Sequence, residues 1–150
     1  MDQPKVILEM KRINKARNAI TAKIGYCEMM AAATPGMNFD SEMVDKPRNL
    51  DAPFVKWVYK KIELEEKLRK IDEEFCKACT LLDAYLNLLD DVKEMMVVSL
   101  RYELGKSWAE VADELHFSES TLYRTHRSAM LKLIEIEESV ERGKVDSRWQ

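Results

Sequence analysis

A chain of 150 residues that is 46% apolar and 34% charged can bury a core, which excludes wholesale disorder. Its 27 Asp and Glu against 24 Lys and Arg leave a net charge of -3, so it is not a strongly basic protein that coats a polyanion unaided. No apolar run approaches the roughly 18 residues of a membrane span, and the opening MDQPKVILEMKR has no export-type apolar core.

Only four Gly and four Pro, with abundant Lys, Glu, Leu, Met and Ala, predict an all-α protein. Three cysteines make an odd set, read as reduced thiols in a cytoplasm rather than a disulfide framework.

Residues 1–33 are predicted to form a basic helix, with six positive and three negative charges for +3. Pro4 suits its first turn, where a missing N–H costs nothing. Met10, Ile13, Ile20, Ile24, Cys27 and Ala31 keep a 3,4 spacing broken by Arg17, a stripe that seeks a partner helix. Residues 34–53 hold three Pro and one Gly and read as a mobile linker.

A second long helix is expected over 54–89, with Asp51 as N-cap and Pro53 in the first turn. Leu64, Leu68, Ile71, Phe75, Ala78, Leu82, Tyr85 and Leu89 fall in strict 3,4 alternation, the mark of a coiled-coil seam. The fold class expected is therefore a long antiparallel or oligomeric coiled-coil arm followed by a helix-turn-helix module. Leu64, Leu68, Ile71, Phe75, Leu82 and Leu89 are the candidate oligomerisation residues. The arm can fold back on the first helix, pair with a second copy, or do both.

The module spans 90–134, with 135–150 as an acidic tail. Asp91 and Glu94 are a candidate capping pair at its start. The run VKEMMVVSLRYEL is apolar on several sides, as a helix gripped by neighbours should be, and Gly105 is placed to close it in a left-handed conformation. Ser107 and Glu110 make an S-x-x-E capping box for a short helix through Leu115. His116-Phe117-Ser118 is the turn, and Ser118 caps a last helix through Leu133 and as far as Arg142.

Within a helix-turn-helix, each of these positions has a steric task. Ala112 is small where the two helices approach, while Val111, Leu115, Phe117 and Leu122 supply a shared core. The turn usually carries Gly at positive φ; His116 either visits that region, as His does more readily than most residues, or sits at negative φ in a different turn. Leu122, His126, Ala129 and Leu133 should face inward. That leaves Glu119, Ser120, Tyr123, Arg124 and Arg127 outward. Arg pairs bidentately with guanine, and Ser and Thr donate to bases or phosphates.

The acid of the chain lies elsewhere. Residues 61–94 carry ten negative and six positive charges, and residues 135–150 five negative and three positive. Residues 118–133 hold Arg124, Arg127 and Lys132 against Glu119 alone. A single copy should still bind DNA weakly, so a dimer or a polymerase contact is expected.

The stretch LDDVKEMMVVSLRYELGKSWAEVADELHFSESTLYRTHRSAMLKL resembles the fourth region of bacterial sigma factors, which reads a promoter element. The landmarks are the LRY at 100–102, Gly105-Lys106-Ser107, Val111-Ala112, Phe117-Ser118, Thr121 and Ala129. The basic helix, Pro/Gly loop and long acidic helix before it resemble the ArpU- and RinA-like transcriptional regulators of Gram-positive phages and mobile islands. The resemblance implies recognition by Glu119, Ser120, Tyr123, Arg124 and Arg127, with backbone contacts from Lys106, Ser107 and Thr121. Its implied partners are double-stranded promoter DNA and RNA polymerase, in the cytoplasm of a bacterial host, for a homo-oligomer that activates late genes and is not bound to a membrane. Two positions depart from the pattern: His116 replaces the turn Gly, and Glu119 stands where a basic residue is common.

An enzyme needs converging acid, base or nucleophile groups. The two His are both inside the helix-turn-helix and no phosphate loop occurs, so no enzymatic activity and no cofactor are expected. Cys76-x-x-Cys79 lies mid-helix, whereas zinc and redox pairs sit in turns or at helix starts. It reads as two packed thiols with no metal. The alternative to DNA reading is a protein-interaction adaptor that docks RNA polymerase or a repressor through the same module.

Overall fold

The protein's structure is a computed structural model that describes residues 3–33 and 53–146. Among these residues every element is helical. They are α1 (Lys5–Ala33), α2 (Pro53–Leu86), α3 (Val92–Val98), a π-helical segment (Ser99–Glu103), α4 (Trp108–Leu115) and α5 (Glu119–Asp146). The all-α expectation therefore holds. The linker of 34–53 and the N-cap Asp51 fall outside the described residues, apart from Pro53 at the start of α2. No helix among the described residues is long and apolar enough to cross a membrane. The chain divides into two compact units, residues 15–73 and residues 1–14 with 74–150.

Residues 15–73 contain the later part of α1 and the earlier part of α2, paired antiparallel. Arg17 meets Asp72 at 2.8 Å, and Glu28 meets Lys61 at 3.1 Å, so numbers rise along one helix as they fall along the other. Tyr26 packs edge-on against Trp57 with centroids 5.6 Å apart. Arg17 thus interrupts the apolar stripe by forming an ion pair. Of the two stripes, Cys27 and Leu64 are buried, while Ile20, Ile24, Leu68 and Ile71 are half-buried. Two helices side by side shield one seam and leave their other faces open.

In the unit of 1–14 and 74–150, Ile7, Met10 and Ile13 of α1, Leu82 of α2, Val97 and Val98 of α3 and Leu133 of α5 are fully buried. The 3,4 pattern continues to Leu89, but α2 stops at Leu86. Tight turns bond Leu88 N to Tyr85 O and Leu89 N to Leu86 O, both at 3.0 Å. Leu89 is buried beyond the helix rather than on its seam. Asn87, Asp90 and Asp91 favour local side-chain bonding over helix continuation. Asp91 does cap α3, accepting from Lys93 N at 2.8 Å. The expected partner Glu94 does not reach back to it. Its side chain is buried and accepts from Lys132 Nζ of α5 at 2.7 Å, because a buried carboxylate needs a cation more than a helix start needs a second acceptor.

The expected tail at 135–150 is helical as far as α5 extends, to Asp146. Ile134, Ile136 and Val140 are half-buried along it, and Glu137 is buried. Glu137 has a task no neighbour in sequence reveals. Pro4 has no N–H, so the first free donors of α1 belong to Lys5 and Val6, and the Glu137 carboxylate accepts both, at 2.7 and 2.9 Å. A carboxylate at a helix N-terminus gains from charge-assisted bonds and from the helix dipole. Glu137→Ala should lower the unfolding free energy by about 1–3 kcal/mol, since it strands two donors. Glu137→Gln, which keeps one acceptor, should cost less; no loss for Glu137→Ala in urea titrations would show that the cap contributes nothing.

Candidate nucleic-acid interface

The approach to the module widens first. From Ser99 the backbone leaves α geometry: Leu104 N bonds Ser99 O at 3.1 Å and Lys106 N bonds Leu100 O at 3.0 Å. Tyr102 O is left free to accept from Asn14 Nδ2 at 3.0 Å. Such π segments often mark functional or strained stretches. Gly105, at φ 68, then turns the chain, a left-handed conformation that costs a residue with a side chain about 1–2 kcal/mol.

Ser107 starts α4 with a complete capping box. Its Oγ accepts from Glu110 N at 3.2 Å, and the Glu110 carboxylate accepts from Ser107 N at 3.0 Å. That bond from the Ser107 backbone holds Glu110 below the ordinary carboxylate range. α4 ends at His116, which adopts the left-handed conformation at φ 56 and ψ 42. Of the two conformations open to the turn, this is the one a Gly would serve. Ser118 Oγ then accepts from Thr121 N at 3.2 Å, capping α5.

Val111 and Leu122 pack with Val97 and Leu100 in one buried cluster, flanked by Trp108, Ala112, Leu115 and Phe117. The two helices of the turn are thereby locked to each other and to α3. On α5, Leu122, Ala129, Met130 and Leu133 are buried and His126 is half-buried. Glu119, Ser120, Tyr123, Arg124 and Arg127 are exposed. Neither Arg124 nor Arg127 has an ion pair among the described residues.

The three residues expected at the backbone are less free. Lys106 Nζ pairs with Glu114 at 2.7 Å, and that hydrogen bond raises its pKa. Ser107 Oγ is engaged in the capping box. Thr121 is half-buried, its Oγ1 accepting from Ser118 Oγ at 2.9 Å.

A ring cluster at Trp108 and His126 escapes sequence reasoning. The Arg101 guanidinium lies 4.6 Å from the Trp108 ring, and its Nη1 donates to Lys106 O at 3.0 Å. Trp108 meets the edge of His126 at 4.7 Å, and Tyr102 Oη bonds His126 Nε2 at 2.8 Å. Arg101 therefore positions the loop before α4. The sole sequence signal was the LRY triplet itself.

Burial, followed by the charges of Lys11 and Arg101, lowers His126 to about 4. Nearby, burial and then the hydrogen bond with the Asp83 carboxyl push Glu103 up to about 7. Between pH 6.5 and 4 the unfolded chain protonates His126 and the folded chain does not, so stability falls as pH falls. Glu103 works the other way: folded protein holds its proton up to about 7, so its contribution is lost as pH rises through that value. Glu103→Gln should therefore steepen the acid loss, and His126→Gln should flatten or reverse it. For His126 the effect is about 1 kcal/mol once partial solvent contact is allowed for. Urea midpoints at pH 5 and 7 for both variants check the signs.

Of the oligomerisation candidates, Leu64, Leu68 and Ile71 lie in the unit of 15–73, while Phe75, Leu82 and Leu89 lie in the other. Leu64, Leu82 and Leu89 are buried within the single chain and the rest are half-buried. Cys76 is exposed, Cys79 half-buried and Cys27 buried.

Comparison with protein-family models, with curated proteins and with solved structures gave no match.

Proposed function

We propose that this chain is a sequence-specific regulator of transcription that binds double-stranded promoter DNA through α4 and α5. In this reading it is an ArpU/RinA-like protein with a module akin to the fourth region of sigma factors, set on a helical arm. It works in the cytoplasm of a bacterial host, activates late genes of a phage or mobile element, and meets RNA polymerase at the promoter. The observation that carries the reading is the exposed face of α5. Arg124 and Arg127 stand there without ion pairs among the described residues, on a helix whose opposite face is buried against α3 and α4.

The roles follow from position. Ser120, Tyr123, Arg124 and Arg127 approach base edges from successive turns, and guanine is the natural partner for either arginine. Glu119, in the first turn of α5, accepts from cytosine and repels a phosphate placed against it. Lys106, Ser107 and Thr121 border the groove and meet phosphates, Lys106 after exchanging Glu114 for one.

Selection of bound duplexes from a random pool tests binding and yields the site together. Enrichment of one sequence, whose binding weakens steeply with salt, is the expected result. No retained duplex at any salt would leave the adaptor that docks RNA polymerase as the better account.

A further inference from the structure

In the unit of 15–73, one face of α2 is apolar and uncovered. Tyr59 and Ile62 are 64% and 54% exposed, and Val58 beside them is also open. The ion pairs and the ring contact to α1 in this unit run instead through Trp57, Lys61 and Asp72. The apolar area is small, so what distinguishes this face is the charged residues that rim it.

Charge order says what covers it. Tyr59 and Ile62 line a shallow depression together with Lys56, Lys60, Glu63 and Glu66. Both lysines precede both glutamates along α2, with Tyr59 on one side of Lys60 and Ile62 on the other. An identical helix laid antiparallel across this face puts Lys56 opposite Glu66 and Lys60 opposite Glu63, and brings the apolar pairs together at the centre. A parallel copy would set lysine on lysine and glutamate on glutamate. A contact around a two-fold axis needs a patch that is its own complement, and this one is. Glu63 now stands 4.0 Å from Lys60, and Glu66 bonds Arg69. Such surface pairs are worth little, so exchanging them for partners on another chain is easy.

We propose that a second copy of this chain packs antiparallel on the Lys56–Glu66 face of α2. The contact goes beyond the DNA-binding reading and does not depend on it. It assigns dimerisation to a face of α2 centred on Tyr59 and Ile62 rather than to Leu64, Leu68 and Ile71; Trp57, which packs on Tyr26 of α1, borders it.

The test uses the full-length chain in sedimentation velocity across micromolar concentrations, with helicity checked by circular dichroism. The wild type should move from one to two chains per particle as concentration rises. Lys56→Glu with Lys60→Glu should raise the dissociation constant about tenfold or more, as should Glu63→Lys with Glu66→Lys, because each makes the face repel its own copy. An equimolar mixture of the two variants should recover association as a heterodimer. A wild type that stays monomeric throughout, dimers that survive both charge reversals, or a mixture that does not reassociate would each overturn the proposal.

Discussion

Leu122→Ala should lower the unfolding free energy by about 2–5 kcal/mol, read from urea titration of the full chain. Leu122 is 2% exposed and packs with Val97, Leu100 and Val111, joining α5 to α3 and α4. Truncation removes buried methyl groups and opens a cavity at the point where three elements meet. The surrounding side chains are held by helix backbones and can collapse only partly into the space. Leu122→Met, which conserves volume, should cost less than about 1.5 kcal/mol. A loss below about 1 kcal/mol for the alanine variant would mean that α5 is not anchored through this cluster.

Arg124→Ala should weaken binding to the selected duplex by about 1–3 kcal/mol, or roughly 5- to 150-fold, and change binding to random DNA little. The guanidinium is exposed on the outer face of α5, one turn beyond Ser120, where base edges would lie. Lys106 should behave differently, because the proposed complex sets it against phosphate and it is already bonded to Glu114 at 2.7 Å. Lys106→Ala should weaken both duplexes alike and lower the salt slope by about one unit. Glu114→Gln should strengthen both, since it releases the ammonium and removes a negative charge beside the DNA. Anisotropy titrations over a salt series separate the two patterns. Equal losses on both duplexes for Arg124→Ala would place that side chain on the backbone and shift reading to Ser120 and Tyr123.

What could be read from the chain before its structure was mostly local. Ser107 and Glu110 are three residues apart, and an exchange of side-chain and backbone bonds over that distance depends on nothing else. The left-handed Gly105 and the inward rank of Leu122, Ala129 and Leu133 belong to the same class, whereas for His116 the sequence left two conformations open and the left-handed one is found. The failures are contacts that join distant residues. Glu94 sits three residues after Asp91, as a capping partner would, but Lys132 on α5 draws it away. Glu137 looks like one more acid in a charged tail until the start of α1 comes beside it. The Arg101–Trp108–His126 stack depends on a π segment, and no residue pattern marks where a helix will widen. On α5 the outward set of Glu119, Ser120, Tyr123, Arg124 and Arg127 was legible, since that follows from helical period alone. That Lys106 is tied to Glu114 depended on rotamers the sequence does not encode.

The Glu137 cap also bears on the order in which the chain folds. Its two bonds span 131 and 132 residues, so the first turn of α1 stays uncapped until the chain has been made as far as Glu137. At a synthesis rate of about 5–20 residues per second, the wait on a ribosome is roughly 7–26 s. Contacts this distant slow folding because a long loop must be drawn in first. The hairpin of 15–73 shortens that loop. Once Arg17 and Asp72 are paired, the ends of the hairpin are already together, and the separation left to search is less than its residue count suggests. Assembly from the middle outward, with the first turn of α1 secured last, is the sequence of events this topology favours.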